Sequence, residues 1–205
     1  IAFCLFKYSP YSGLSLDFGR ILKECLNRGH SAHVFVSEWQ GERPEGGQFT
    51  VLGSPKISLK FSNHAQNEQF HNKLQVELKK QAFNSVVGFN KMPGLDLYYG
   101  ADSCYVGDKV PQYPAIYKVF SRRYKGRYSF EEAVFGVESR TLILSLSEGQ
   151  KNDYQEHYFT PDDRFHLLPP TLDKSFSPIT DRAHQREKLR VDPGLPINEL
   201  LTRKS

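Results

Sequence analysis

The chain has 205 residues, 39% of them hydrophobic and 24% charged, the balance of a soluble globular protein with room for one substantial core. Its net charge of +4 is too small to argue for nucleic acid, and no apolar run reaches the length needed to span a bilayer. The three cysteines, Cys4, Cys25 and Cys104, have no CxxC or other metal-ligand spacing, which argues against a zinc site and for reduced thiols. With no secretory pattern at the N-terminus, a cytoplasmic or peripheral membrane protein is expected.

The first segment, Ile1 to Lys7, is nearly all apolar, as a parallel strand covered on both faces would be. A turn over Tyr8-Ser9-Pro10-Tyr11-Ser12-Gly13 leads into a helix whose Leu14, Phe18, Ile21, Leu22, Cys25 and Leu26 recur at helical spacing, with Gly29 as its C-cap. Strands are expected at Ala32 to Val36 and Phe49 to Leu52, then a polar helix near His64 to Gln81 and a strand over Ser85 to Phe89. A basic helix near Pro114 to Phe135 precedes a strand over Thr141 to Leu146. A helix follows from Ser147, where Ser147 and Gln150 form a capping-box pattern. A last strand, Phe165 to Leu168, stops at Pro169-Pro170. Strands alternating with helices give an α/β fold, a doubly wound and mostly parallel sheet.

Two regions carry chemistry. Phe89 to Tyr105, read as one loop, gathers a Pro-Gly turn, Lys91, Asp96, Asp102 and several tyrosines past the carboxyl end of a strand, where open α/β sheets bind ligands. There Asp96 and Asp102 either hydrogen-bond sugar hydroxyls or cap turns, and Lys91 either meets an acidic group or is solvated. Ahead of the first helix, Gly13 leaves a backbone N-terminus that favours a phosphate, whereas Asp17 either contacts substrate or complements the helix dipole. There is no GxGxxG fingerprint, no DxD pair and no histidine cluster, so neither a dinucleotide nor a bound metal is expected.

The clearest periodicity lies elsewhere. Tyr113, Tyr117, Phe120, Tyr124 and Tyr128 fall at spacings of four, three, four and four, one face of a continuous helix. Lys109, Lys118, Arg122, Arg123, Lys125 and Arg127 flank them, and no acid occurs between Lys109 and Ser129. Such a helix either docks on an anionic membrane surface or packs its aromatic stripe on the core.

Lys7-Tyr8-Ser9-Pro10 through Gly13-Leu14 and Asp17-Phe18, with Arg28-Gly29-His30, resembles the opening of the lipopolysaccharide core glucosyltransferase I family. The most specific match is Gly88-Phe89-Asn90-Lys91-Met92-Pro93-Gly94-Leu95-Asp96 with Ala101-Asp102 and Cys104-Tyr105. Tyr124 to Phe135 and Phe165 to Pro170 extend the likeness to about residue 175. The resemblance implies a Rossmann-like half of a retaining GT-B glycosyltransferase that needs no metal and moves glucose from UDP-glucose to an inner-core heptose. Residues 1–175 would form the acceptor-binding domain, and 176–205 a linker and the start of a donor-binding domain cut short.

By the same resemblance, Asp102 and Asp17 are candidate catalytic residues, and Ser12, Gly13, Asp17, Thr171 and Asp173 face the donor. Asn90, Lys91, Asp96 and Tyr99 face the acceptor. The aromatic basic segment, Tyr113, Tyr117, Lys118, Phe120, Arg122, Arg123, Tyr124, Lys125 and Arg127, meets the cytoplasmic face of an anionic inner membrane. Two positions depart from the family pattern, Ser12-Gly13 for a glycine pair and Thr171 for a glycine, both on the donor side. A transferase with another nucleotide-sugar donor and a non-catalytic glycolipid-binding module are the alternatives. The 205-residue piece by itself is expected to bind acceptor or membrane without turnover.

Overall fold

Strict alternation along the first strand sets the layers. In the computed structural model, which describes residues 1–53, 63–108 and 113–169, strand β1 is Ala2–Tyr8. Its Ala2 and Cys4 point into one apolar cluster and its Phe3 and Leu5 into another. Both clusters are buried, so both faces of the strand must be covered. Helix α1 (Gly13–Asn27) covers the second face with Phe18 and Leu22. Helices α2 (Asn63–Leu78), α5 (Arg122–Phe135) and α6 (Glu148–Tyr158) cover the first with Phe70, Leu74, Val134, Phe135, Tyr154 and Tyr158. Phe18 is fully buried among the rings of Phe3, Tyr8, Trp39 and Phe89, and trimming it to alanine would cost about 3–5 kcal/mol.

Beyond β1, the sheet holds β2 (His33–Trp39), β3 (Gln48–Val51), β4 (Val86–Gly88), β5 (Leu97–Gly100), β6 (Leu142–Ser145) and β7 (Phe165–Leu167). All seven are parallel, in the order β3-β2-β1-β4-β5-β6-β7. The chain therefore winds outward from β1 in one direction, then restarts at β4 and winds in the other. The crevice outside the carboxyl ends of β1 and β4 is the switch point of such a sheet, where ligands bind. Residues Ile1–Pro169 form one compact unit. The expected domain boundary at residue 175 and the segment after it lie outside the described residues.

Two expectations need correcting. The stretch from Phe89 to Tyr105 is not one loop, because β5 runs through its middle. Parallel neighbours are usually joined by a helical crossover, yet eight residues, 89–96, link β4 to β5. The connection instead folds back over β4 and buries Met92 and Leu95 where a helix would lie. Gly88 makes room for it: a Cβ there would stand 2.2 Å from Leu95 Cδ1. Gly94, at φ +82°, makes the reversal in the left-handed region that favours glycine.

The basic segment is likewise not one helix. Helix α4 (Ala115–Phe120) ends at Ser121, whose backbone is extended (φ −78°, ψ 112°) and whose Oγ accepts from Tyr124 N as the N-cap of α5. A serine that satisfies an orphan donor competes with helix continuation, and here it breaks the expected stripe of Tyr113, Tyr117, Phe120, Tyr124 and Tyr128. Another short helix, α3 (Tyr105–Asp108), follows β5.

Candidate functional site

At the switch point lies a cavity of about 340 Å³. Its walls include Phe6 from β1, Asn90 and Lys91 after β4, Asp102 and Tyr105 after β5, and Arg127 and Glu131 from α5. A larger one of about 840 Å³ opens at the opposite edge, around His33, Gln81 and the amino ends of the strands. Size favours the second, but topology and chemistry favour the first. His33 is already held on both ring nitrogens, by Thr50 Oγ1 at 2.7 Å and Gln81 Nε2 at 2.9 Å.

Asn90 closes the seam between β1 and β4. After Phe89 N donates to Cys4 O at 2.9 Å, the backbone pairing stops, and Asn90 Oδ1 accepts from Phe6 N at 2.8 Å in place of the next carbonyl. Lys91 turns inward rather than to solvent. Its Nζ donates to Ser103 O at 2.7 Å and pairs with the Glu131 carboxylate, and it lies 5.1 Å from the ring centre of Tyr154. Glu131 is fully buried and accepts from Tyr105 N at 2.9 Å, Val106 N at 3.2 Å and Tyr158 OH at 2.7 Å. A buried pair with its remaining lone pairs filled is tolerated, whereas removing one partner costs about 3–5 kcal/mol. Lys91 and Glu131 thus fasten the loops after β4 and β5 to α5.

Asp102, an exposed residue in the loop after β5, lines the cavity, and its carboxyl faces Tyr98, Lys91 and Glu131. Burial of that group raises its pKa above the ordinary aspartate value, the Lys91 ammonium works against the rise and Glu131 adds to it. The residue as a whole is open to solvent, and the penalty falls on the carboxyl because that group is set against buried neighbours. The Tyr98 hydroxyl, fully buried, faces Asp102 but has no partner at hydrogen-bond geometry. Cys104 beside it is buried, which pushes its thiol up to about 11 and leaves it unreactive.

The backbone of Asp102 is held from α6. Gln150 Nε2 donates to Gly100 O at 2.7 Å and Asp102 O at 2.8 Å, and Tyr154 OH donates to Asp102 O at 2.9 Å. Only half of the expected capping box forms. Ser147 Oγ accepts from Gln150 N at 3.2 Å, but the Gln150 side chain takes Leu146 N at 3.1 Å in place of the N-cap amide and spends its Nε2 on this loop.

At the start of α1, Ser12 is the N-cap without a side-chain capping bond, and nothing lies within 4 Å of where a Gly13 Cβ would be. The backbone there is open to approach. The loop before it is pinned by Ser9 N donating to Ser15 Oγ at 3.1 Å. Asp17 sits beyond the first turn of α1, so it is not a dipole-complementing residue. Its Oδ2 accepts from Tyr99 OH at 2.9 Å and its Oδ1 from Arg20 Nη1 at 3.4 Å.

The structure therefore brings Asn90, Lys91 and Asp102 together and leaves other expected residues elsewhere. Asp96 lies at the amino edge of the sheet, where Oδ2 accepts from Val86 N at 2.7 Å, and it lines neither cavity. Tyr99 is buried against α1 with its hydroxyl on Asp17. Arg127 faces the cavity, its guanidinium 5.4 Å from the Tyr105 ring centre, instead of joining an outward basic face. Tyr124 and Tyr128 stack at 6.0 Å, half-buried, while on α4 Ile116, Val119 and Phe120 are exposed. Thr171, Asp173 and Lys109 lie outside the described residues. Sequence reading missed Glu131 and the second role of Gln150; the one legible signal was an acid reappearing after a long basic run. Among the described residues, no group of three or more His, Cys, Asp or Glu is placed to hold a metal, and no helix is long and apolar enough to cross a membrane.

No family model matches the chain. It is 38% identical over 179 residues to the lipopolysaccharide glucosyltransferase WaaG of Escherichia coli K12, a match that covers 86% of this chain and 46% of that protein. Among solved structures, it superposes on the crystal structure of WaaG, a glycosyltransferase involved in lipopolysaccharide biosynthesis, with a TM-score of 0.81. That match is 34% identical and covers 94% of this chain and 52% of the other. The chain thus spans about half the length of the relatives it matches. Its doubly wound sheet with a polar cavity at the switch point shares the fold of the matched part of that glycosyltransferase. Over that part the chain is WaaG-like in both sequence and structure.

Proposed function

We propose that this chain is the acceptor-side half of a retaining glycosyltransferase that moves glucose from UDP-glucose to a heptose of the lipopolysaccharide core without a metal. The observation that carries the reading is Asp102, a carboxylate in the wall of the switch-point cavity of a WaaG-like unit. A carboxylate whose basicity is raised by burial accepts a hydrogen bond from a sugar hydroxyl more strongly than an ordinary aspartate and is a better proton acceptor for it. Asn90 and Lys91 frame the same cavity, although Lys91 acts there mainly by fixing the loops.

The donor would enter from the α1 side. The open approach at Gly13 lets the diphosphate reach backbone N–H groups at a helix N-terminus, where the dipole offsets the charge of the leaving group. Arginine or lysine contacts to that diphosphate, and the rest of the donor site, belong to the half of the relatives that this chain does not span. The exposed Ile116, Val119 and Phe120 beside Lys118, Arg122, Arg123 and Lys125 would seat the protein on the cytoplasmic face of an anionic membrane. There the lipid-anchored acceptor is presented.

The test uses the native-length protein with UDP-glucose and a glucose-deficient core lipopolysaccharide in the presence of a metal chelator. A gain of one hexose by mass spectrometry is expected, with loss of the gain in Asp102→Ala. A gain only with another nucleotide sugar overturns the donor assignment, and no gain with any nucleotide sugar overturns the enzyme reading.

A further inference from the structure

We infer that Gln150 is a positioning residue for the Asp102 carboxylate, acting through the backbone of the loop that follows β5. This rests on the reading of Asp102 as the carboxylate that meets the sugar. One side-chain amide serves three backbone groups at once. Its Nε2 donates to Gly100 O and Asp102 O at 2.7 and 2.8 Å, and its Oε1 accepts from Leu146 N at 3.1 Å. The amide therefore bridges the exits of two neighbouring strands, β5 and β6, at the edge that carries the cavity. Tyr154, one helical turn further along α6, adds its hydroxyl to the same Asp102 carbonyl at 2.9 Å.

A glutamine at this position of a helix commonly reaches back to its own N-cap. Gln150 divides its amide: Oε1 stays at its own helix start, on Leu146 N just before the N-cap, while Nε2 reaches partners 50 and 48 residues away in the sequence. The fit around the tether is close on the β5 side. A Cβ on Gly100 would stand 2.9 Å from Leu144 O and 3.4 Å from Gln150 Oε1, so that strand end is packed against the tether. The two carbonyls at one end of the amide and Leu146 N at the other fix which end faces which strand, and the single Ser145 hydroxyl proton is shared between Gln150 Oε1 at 3.2 Å and Ser147 O at 2.8 Å. Nothing in this set touches the cavity. Its output is the direction in which the Asp102 side chain leaves the backbone. Displacing a reacting group by about 1 Å costs on the order of 100-fold in rate.

The experiment compares Gln150→Glu and Gln150→Leu in the native-length protein, alone and combined with Asp102→Asn. The glutamate is nearly isosteric but sets an oxygen against both carbonyls, and the leucine removes all three bonds. The expected result is a fall in kcat of roughly 10- to 100-fold with KM for the nucleotide sugar little changed. In the Asp102→Asn background the same substitutions should have little further effect, because the group they position is already gone. A second readout is independent of transfer: the carboxyl of Asp102, followed by carbon NMR through a pH titration. Gln150→Leu should move the Asp102 midpoint toward the ordinary aspartate value. An unmoved Asp102 titration, or a rate loss that persists in full in the Asp102→Asn background, overturns the inference. If the unaltered protein transfers no sugar, the functional reading fails, and the titration still decides whether Gln150 sets Asp102.

Discussion

Asp102 illustrates the tension at a single residue between what folding favours and what a site needs. Its pKa is raised in the folded state, chiefly by burial, so over part of the pH range the folded protein binds more protons than the unfolded chain. Stability then falls as pH rises from the ordinary aspartate value through the raised one, and the penalty persists in full above it. Asp102→Asn should remove that penalty. Its melting temperature is expected to equal that of the unaltered protein at low pH and to exceed it near neutral pH, as read by calorimetry across that range. Equal melting temperatures at both ends would contradict the placement of the carboxyl in the cavity wall. Lys91 shows the converse case. Lysines are almost always solvated, and only the fold reveals that this one neutralises a carboxylate 40 residues on.

Among the elements, what was legible in the sequence was what local physics dictates. β1 and α1 announce themselves through a continuous apolar run and a 3.6-residue period, and the Ser147 N-cap of α6 was visible in the residue type. β5 was hidden because Leu97-Tyr98-Tyr99-Gly100 is short and sits beside a Pro-Gly turn, so local signals favoured a loop. Only pairing with β4 and β6 makes it a strand. The break at Ser121 was hidden for the opposite reason, because a good aromatic period ran straight across it. The C-cap of α6 gives a test at this scale. Phe159 holds φ 53° with its ring 79% exposed, a left-handed conformation that strains any residue with a Cβ. Phe159→Gly should stabilise the protein by about 1 kcal/mol, seen as a higher urea midpoint with an unchanged slope. A lower midpoint would mean that the ring contributes packing its exposure does not suggest.

For the molecule as a whole, the proposed function requires two surfaces to work together: the cavity at the carboxyl edge and the exposed apolar and basic residues of α4 and early α5. Reversing Arg122, Arg123 and Lys125 to glutamate should abolish binding to vesicles containing anionic lipid and leave binding to neutral vesicles, already weak, unchanged. Transfer to a water-soluble core oligosaccharide should survive in the native-length protein, since those cations do not line the cavity. Unchanged vesicle binding would return the patch to an ordinary solvated face. The proposed function requires the sugar acceptor to bind at the switch point of the sheet and not in the larger cavity at the opposite edge. The most direct measurement is an NMR titration of the chain with a heptose-containing core oligosaccharide, following the backbone amides at both edges. Shifts confined to Asn90, Asp102, Ser103 and Tyr105, and lost in Asp102→Ala, are the expected result. Shifts gathered around His33 and Gln81, with the switch-point amides unmoved, would contradict it.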